Sequence, residues 1–186
     1  GTSMAAPLVS GSAALVRDYY KQNGVNPSGA LVKATLAHSG HNLPGYVDLN
    51  GVGLLAPVPK VPNSFSGFGL VSLGKVLSFA DSMFKLFSYD RVQLSGYNRQ
   101  VYCYQVVDDR EFKATLSWYD PPASPAASVL LVNDLDLDVF YYRNGSKSST
   151  RVPGNGKESG DRVNTIEQST VSRIPRDYLV AVTVRA

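Results

Sequence analysis

The chain has 186 residues, 44% of them hydrophobic, which is enough for one large globular domain or two small ones. Eighteen Lys and Arg against fifteen Asp and Glu give a net charge of +3. That balance is too mild, and the cations too scattered, for a nucleic-acid partner. No apolar run reaches the roughly 20 residues of a membrane-spanning helix, so no membrane partner is expected either.

In chain order, residues 1 to 80 read as helices joined by loops. SMAAPLVSGSAALVRDYYKQNG is rich in small and apolar residues, with Gly24 placed to end a helix. Asn26-Pro27 resembles an N-cap followed by proline at the first helical position, opening a second helix that Ser39-Gly40 ends. Leu43 to Phe65, with its prolines and glycines, reads as a long surface loop. SLGKVLSFA predicts a third, short helix.

From residue 81 the period changes to two. In FKATLSW, Phe112, Ala114, Leu116 and Trp118 share a face, and in YLVAVTVR Tyr178, Val180, Val182 and Val184 do so. Short alternating runs at this spacing predict an antiparallel sandwich or barrel for residues 81 to 186. The lone cysteine, Cys103, cannot form an intrachain disulfide and reads as a small buried hydrophobe within VYCYQVV. Asn144-Gly145 predicts a hairpin turn, and Asn144-Gly145-Ser146 is a glycosylation sequon with force only in a secreted eukaryotic protein.

Two stretches carry chemistry. In Gly1-Thr2-Ser3-Met4-Ala5-Ala6-Pro7 a serine falls in the first turn of a helix, beside unpaired N–H groups and the positive end of the helix dipole. An oxyanion on a substrate bonded to Ser3 would be stabilised there. Taken alone, such a serine reads as an N-cap. Further on, Asn133-Asp134-Leu135-Asp136-Leu137-Asp138 alternates carboxylates with apolar residues. On a strand this puts Leu135, Leu137 and Val139 inward and three carboxylates outward, a solvated polar face or a cation site. An EF-hand is excluded, since Val139 stands at its glycine position and Gly145 at its bidentate glutamate.

GTSMAAP resembles the nucleophile signature of the subtilisin-like serine proteases, G-T-S-M-[AS]-x-P, at all seven positions. GFGLVSLGKVL resembles a segment near the end of their catalytic domain, with Gly74 and Lys75 departing from the usual pattern. SWYDPPASPAASVLLVNDLDLDV and the later DRVNTIE are similar to the β-barrel domain attached to a group of alkaline subtilases. The resemblance implies the end of an α/β catalytic domain over residues 1 to 80. For residues 81 to 186 it implies a small β-sandwich or jelly-roll barrel.

It implies further that Ser3 is the nucleophile of a Ser-His-Asp triad. In the subtilisin order the aspartate and histidine come before the serine, so they belong to upstream sequence that this chain lacks. His38 and His41, in a His-Ser-Gly-His turn after a predicted helix, read as exposed or helix-end histidines rather than a metal-binding pair or a stand-in base, and the chain alone is expected to be inactive. The partners implied are protein or peptide substrates and that upstream segment, and the setting is secreted. The resemblance also implies a structural calcium ion on Asp136 and Asp161, with Asp134 able to complete the shell, although Thr165 replaces an asparagine of the family pattern. A rival reading is a non-catalytic calcium-binding or interaction module.

Overall fold

The computed structural model describes residues 1–48, 55–96 and 98–186. They form two compact units, Gly1–Asp90 and Arg91–Ala186.

The first unit opens with helix α1, Thr2–Gln22. Its run of Ala, Leu and Val favours helix, and it stops where Gly24 adopts φ 77°. Val25 N–H then reaches back to the Tyr20 carbonyl and Gly24 N–H to that of Lys21, the paired bonds of a Schellman motif. Only Val16 and Tyr20 of α1 are buried. They pack with Leu31, Val76 and Leu77, flanked by Tyr19, Leu36 and Leu86. The Tyr20 hydroxyl donates to Thr35 Oγ1 at 3.0 Å, and Thr35 in turn donates to the Leu31 carbonyl at 2.8 Å.

Helix α2 spans Gly29–Ser39 and starts later than Asn26-Pro27 suggests. Its N-cap is Ser28, whose hydroxyl accepts from Leu31 N–H. Asp90 then accepts from Ser28 N–H at 2.8 Å and from its hydroxyl at 2.5 Å. A carboxylate 62 residues away thus adds negative charge at the helix N-terminus, a long-range partner that local sequence cannot show. The stretch read as one long loop contains a two-stranded ribbon, β1 (Tyr46–Asp48) with β2 (Leu55–Pro57); residues 49–54 lie outside the described residues. The third helix is reduced to one 3-10 turn, Leu73–Lys75. Gly74 disfavours a longer helix, and Val76 and Leu77 enter the core directly after it.

The second unit is built from antiparallel strands: β3 (Arg99–Gln105), β4 (Arg110–Ser117), β5 (Asp136–Arg143), β6 (Thr150–Pro153), β7 (Ile166–Ile174) and β8 (Tyr178–Arg185). They form a four-stranded sheet, β3-β8-β5-β6, and a two-stranded sheet, β4-β7. Leu137, Val139, Val171, Ile174, Val180, Val182 and Val184 form one core to which both sheets contribute. The period-two runs fall as the sequence predicts, with Phe112, Ala114 and Leu116 packed on that core. The sheets do not close into a barrel.

Two expectations are corrected here. Cys103 is exposed, because Tyr102 and Tyr104 take the half-buried positions of β3 and the alternation turns Cys103 outward with Val101. Asp138 is not solvated. Only 2% of it is exposed, and two arginines cover it: Arg151 Nε donates to Oδ1 at 2.7 Å and Arg185 Nη2 to Oδ2 at 2.8 Å. The neighbouring strands β6 and β8 bring those cations to one carboxylate.

Candidate functional site

Ser3 lies in the first turn of α1, exposed. The intrahelical ladder begins with Met4 N–H on the Gly1 carbonyl at 3.0 Å, so the N–H groups of Thr2 and Ser3 precede it. Among the described residues nothing hydrogen-bonds to the Ser3 hydroxyl. His38 sits in the last turn of α2, and the backbone of His41 pairs with Leu70; neither imidazole is hydrogen-bonded to the Ser3 hydroxyl. Below Ser3, the helix carries apolar side chains that nothing among the described residues covers. Met4 is 72% exposed, Leu8 75% and Leu15 61%. Ser10 and Ser12 bond back to the carbonyls of Ala6 and Leu8, which removes their polarity from the helix surface.

The second candidate is the group of carboxylates where the start of β5 meets the segment leading into β7. Asp161 is buried and accepts four N–H donors: Asn155 Nδ2 and Asn164 Nδ2 at 2.8 Å each, and the backbone of Val163 and Asn164. Burial opposes its charge, but these donors outweigh it and hold the carboxyl below the usual range. Asp136 accepts from Arg185 Nη2 at 3.3 Å. Burial pushes the Asp134 carboxyl up, helped by Asp136 and Asp161 and opposed by Arg162.

The sequence reading missed a fourth member, Glu167, which is 1% exposed. Its Oε2 accepts from Leu137 N–H at 2.7 Å, while Oε1 is buried with no hydrogen-bond partner. Burial, then Asp136 and Asp161, raise its pKa from 4.5 to about 7. The clue lay in DRVNTIE, which ends on this glutamate, but alternation alone does not tell which strand faces are covered. Two glycines wall the group: a methyl on Gly154 would overlap the Glu167 carboxyl, and one on Gly160 that of Asp136.

Among the described residues no three Asp, Glu, His or Cys side chains are arranged to hold a metal ion. As arranged, Asp161 is saturated by N–H groups and Asp136 leans on Arg185. Glu167 Oε1 is the buried carboxylate oxygen among the described residues that is left without a donor. Asp120, outside this group, binds the backbone of Val132 and Asn133 and the Asn133 amide, so it pins the SWYDPPAS loop.

A pH dependence follows for the metal-free protein. The folded state keeps a proton on Glu167 between pH 4.5 and about 7 that the unfolded chain gives up. This contribution is therefore complete below pH 4.5 and lost as pH rises through 7, on the order of 3 kcal/mol in all. Urea melts in chelator should show that slope for the natural chain and not for Glu167→Gln. A slope retained in the variant would assign it to another group.

Comparison with known proteins places the first stretch. Residues 1–56 match the model of the subtilase family, Peptidase_S8. Over nearly the whole chain, similarity extends to two proteins of Dictyostelium discoideum. The serine protease/ABC transporter B family protein tagA is 25% identical, over 94% of this chain and 10% of its own length. The tagD protein of the same name is 23% identical, over 90% of this chain and 12% of its own. The chain thus spans about a tenth of the length of the curated relatives it matches. These matches give it a protease-like origin.

Proposed function

We propose that this chain is the nucleophile-bearing part of a subtilisin-like serine endopeptidase, joined to a β unit of the sandwich or jelly-roll type. The observation that carries the reading is Ser3: an unengaged hydroxyl in the first turn of a helix whose surface is apolar on its uncovered sides. A helix with an uncovered face of large apolar side chains is suited to packing against a further element. Its partner in this proposal is an upstream catalytic segment carrying the triad aspartate and histidine. That histidine takes the Ser3 proton as Oγ attacks the scissile carbonyl of a protein or peptide substrate. The leading N–H groups of α1 face the oxyanion, and water then hydrolyses the Ser3 ester. The relatives named serine proteases support the activity, and the proposed setting is secretory. Fluorophosphonate labelling of the full-length protein tests the assignment: the adduct is expected on Ser3 and absent from the isolated chain. A folded, mature protein that stays unlabelled beside a reactive control ends the enzyme reading.

A structural calcium ion at Asp134, Asp136 and Asp161 is the second part of the proposal, with Glu167 added. The support is an accumulation of four carboxylates and one buried oxygen without a donor. The ion would have to draw Arg185 off Asp136 and N–H groups off Asp161, and backbone carbonyls or water would fill its six to eight positions. Millimolar calcium should then raise the melting temperature of the chain, chelator should lower it, and Glu167→Gln should blunt the response. An unchanged melting temperature removes the ion from the account.

A further inference from the structure

The hairpin between β5 and β6 carries the chain's one Asn-x-Ser/Thr tripeptide in which x is not proline, Asn144-Gly145-Ser146, which has no part in the reading above. Pairing of the two strands stops at Tyr141 with Thr150, and every residue from Arg143 to Thr150 is exposed. Ser146 N–H closes a turn on the Arg143 carbonyl at 2.9 Å, and Gly145 supplies its φ of 81°. The Ser146 hydroxyl accepts from Ser148 N–H at 3.1 Å and also meets its carbonyl, which fixes the third position of the tripeptide. Asn144 itself makes no hydrogen bond among the described residues. The amides of Asn63, Asn133, Asn155 and Asn164 are all tied into turns or to carboxylates. The one asparagine in acceptor context is therefore also one whose amide is free and presented to solvent.

We infer that Asn144 is a site of N-linked glycosylation, taking its glycan from a lipid-pyrophosphate-linked oligosaccharide. The Asn144 amide nitrogen bonds to C1 of the first sugar. The C1–O bond to the pyrophosphate breaks with its electron pair, and the amide gives up one proton. The glycan then stands at the tip of the hairpin that forms one side of the four-stranded sheet, beside β6, which pairs only with β5 among the described strands. A bulky hydrated group there blocks other chains from adding to that edge.

The inference shares only the secretory route with the proposed function. The test is the full-length protein made in a eukaryotic secretory host and digested with peptide N-glycosidase in heavy-oxygen water. Digestion is expected to increase gel mobility and to leave an oxygen-18-labelled aspartate at position 144. Ser146→Ala keeps Asn144-Gly145, so spontaneous deamidation during the incubation still leaves some heavy oxygen there, but the glycan and all label above a no-enzyme control should vanish. An unmodified Asn144 in the recovered protein, or an enzyme-dependent label that survives Ser146→Ala, overturns the inference. Fluorophosphonate labelling of the same preparation keeps the two readings apart. A labelled but unglycosylated protein sinks only the glycan, and a glycosylated but unlabelled one only the protease.

Discussion

In the full-length protein, Ser3→Ala is expected to abolish peptide hydrolysis while leaving the fold in place. Removing the nucleophile of a serine protease triad costs about 10^6-fold in kcat, the scale found for subtilisin itself. Stability should hardly move, because the Ser3 hydroxyl has no hydrogen bond to lose and alanine is the better helix former. The decisive comparison is kcat/KM on a peptide substrate beside a thermal melt of the same sample. Activity within a few-fold of the natural protein would show that Ser3 is only a helix-end residue. A lost activity accompanied by a melting temperature lowered by many degrees would show a folding defect instead.

The second large effect is expected at Asp138. Its carboxyl group is buried, and Arg151 and Arg185 each donate a hydrogen bond to it there. Those arginines are themselves partly exposed, with 31% and 47% of their side chains accessible. Asp138→Ala therefore frees two cations that can return to water, and should cost about 2–3 kcal/mol for the lost charge-assisted bonds and the cavity. Replacing both arginines by methionine should cost more, about 3–5 kcal/mol, since it strands a buried charge. Denaturant melts order the two variants. If the double arginine variant proves the milder, the two cations are not what holds Asp138 in the fold and the ionic account is wrong.

Where a residue's environment is set by its own neighbours, the sequence was a good guide. The alternation in FKATLSW and YLVAVTVR placed Phe112, Leu116, Val180, Val182 and Val184 on the core side, and Gly24 marked the end of α1. What escaped the reading depends on partners far away in the chain. Asp138 looks like any outward carboxylate until β6 and β8 bring Arg151 and Arg185 to it. Ser28 outcompetes Asn26-Pro27 as a cap because Asp90 arrives from 62 residues on. Glu167 falls in a run of four buried residues, Ile166 to Ser169, covered on both faces, where a period of two carries no information.

The strand order β3-β8-β5-β6 has a consequence for synthesis. β8 follows every other strand of its sheet in sequence, yet it lies between β3 and β5 and pairs with both. Until residues 178 to 185 have left the ribosome, β3 and β5 have no mutual contact to make, and the strand edges that β8 joins wait unpaired. Val180, Val182 and Val184 then close a loop of about eighty residues in one step, a cost in chain entropy that precedes any gain. This unit is therefore built to fold late and all at once, and a nascent chain paused just before Tyr178 is its point of greatest need for a chaperone.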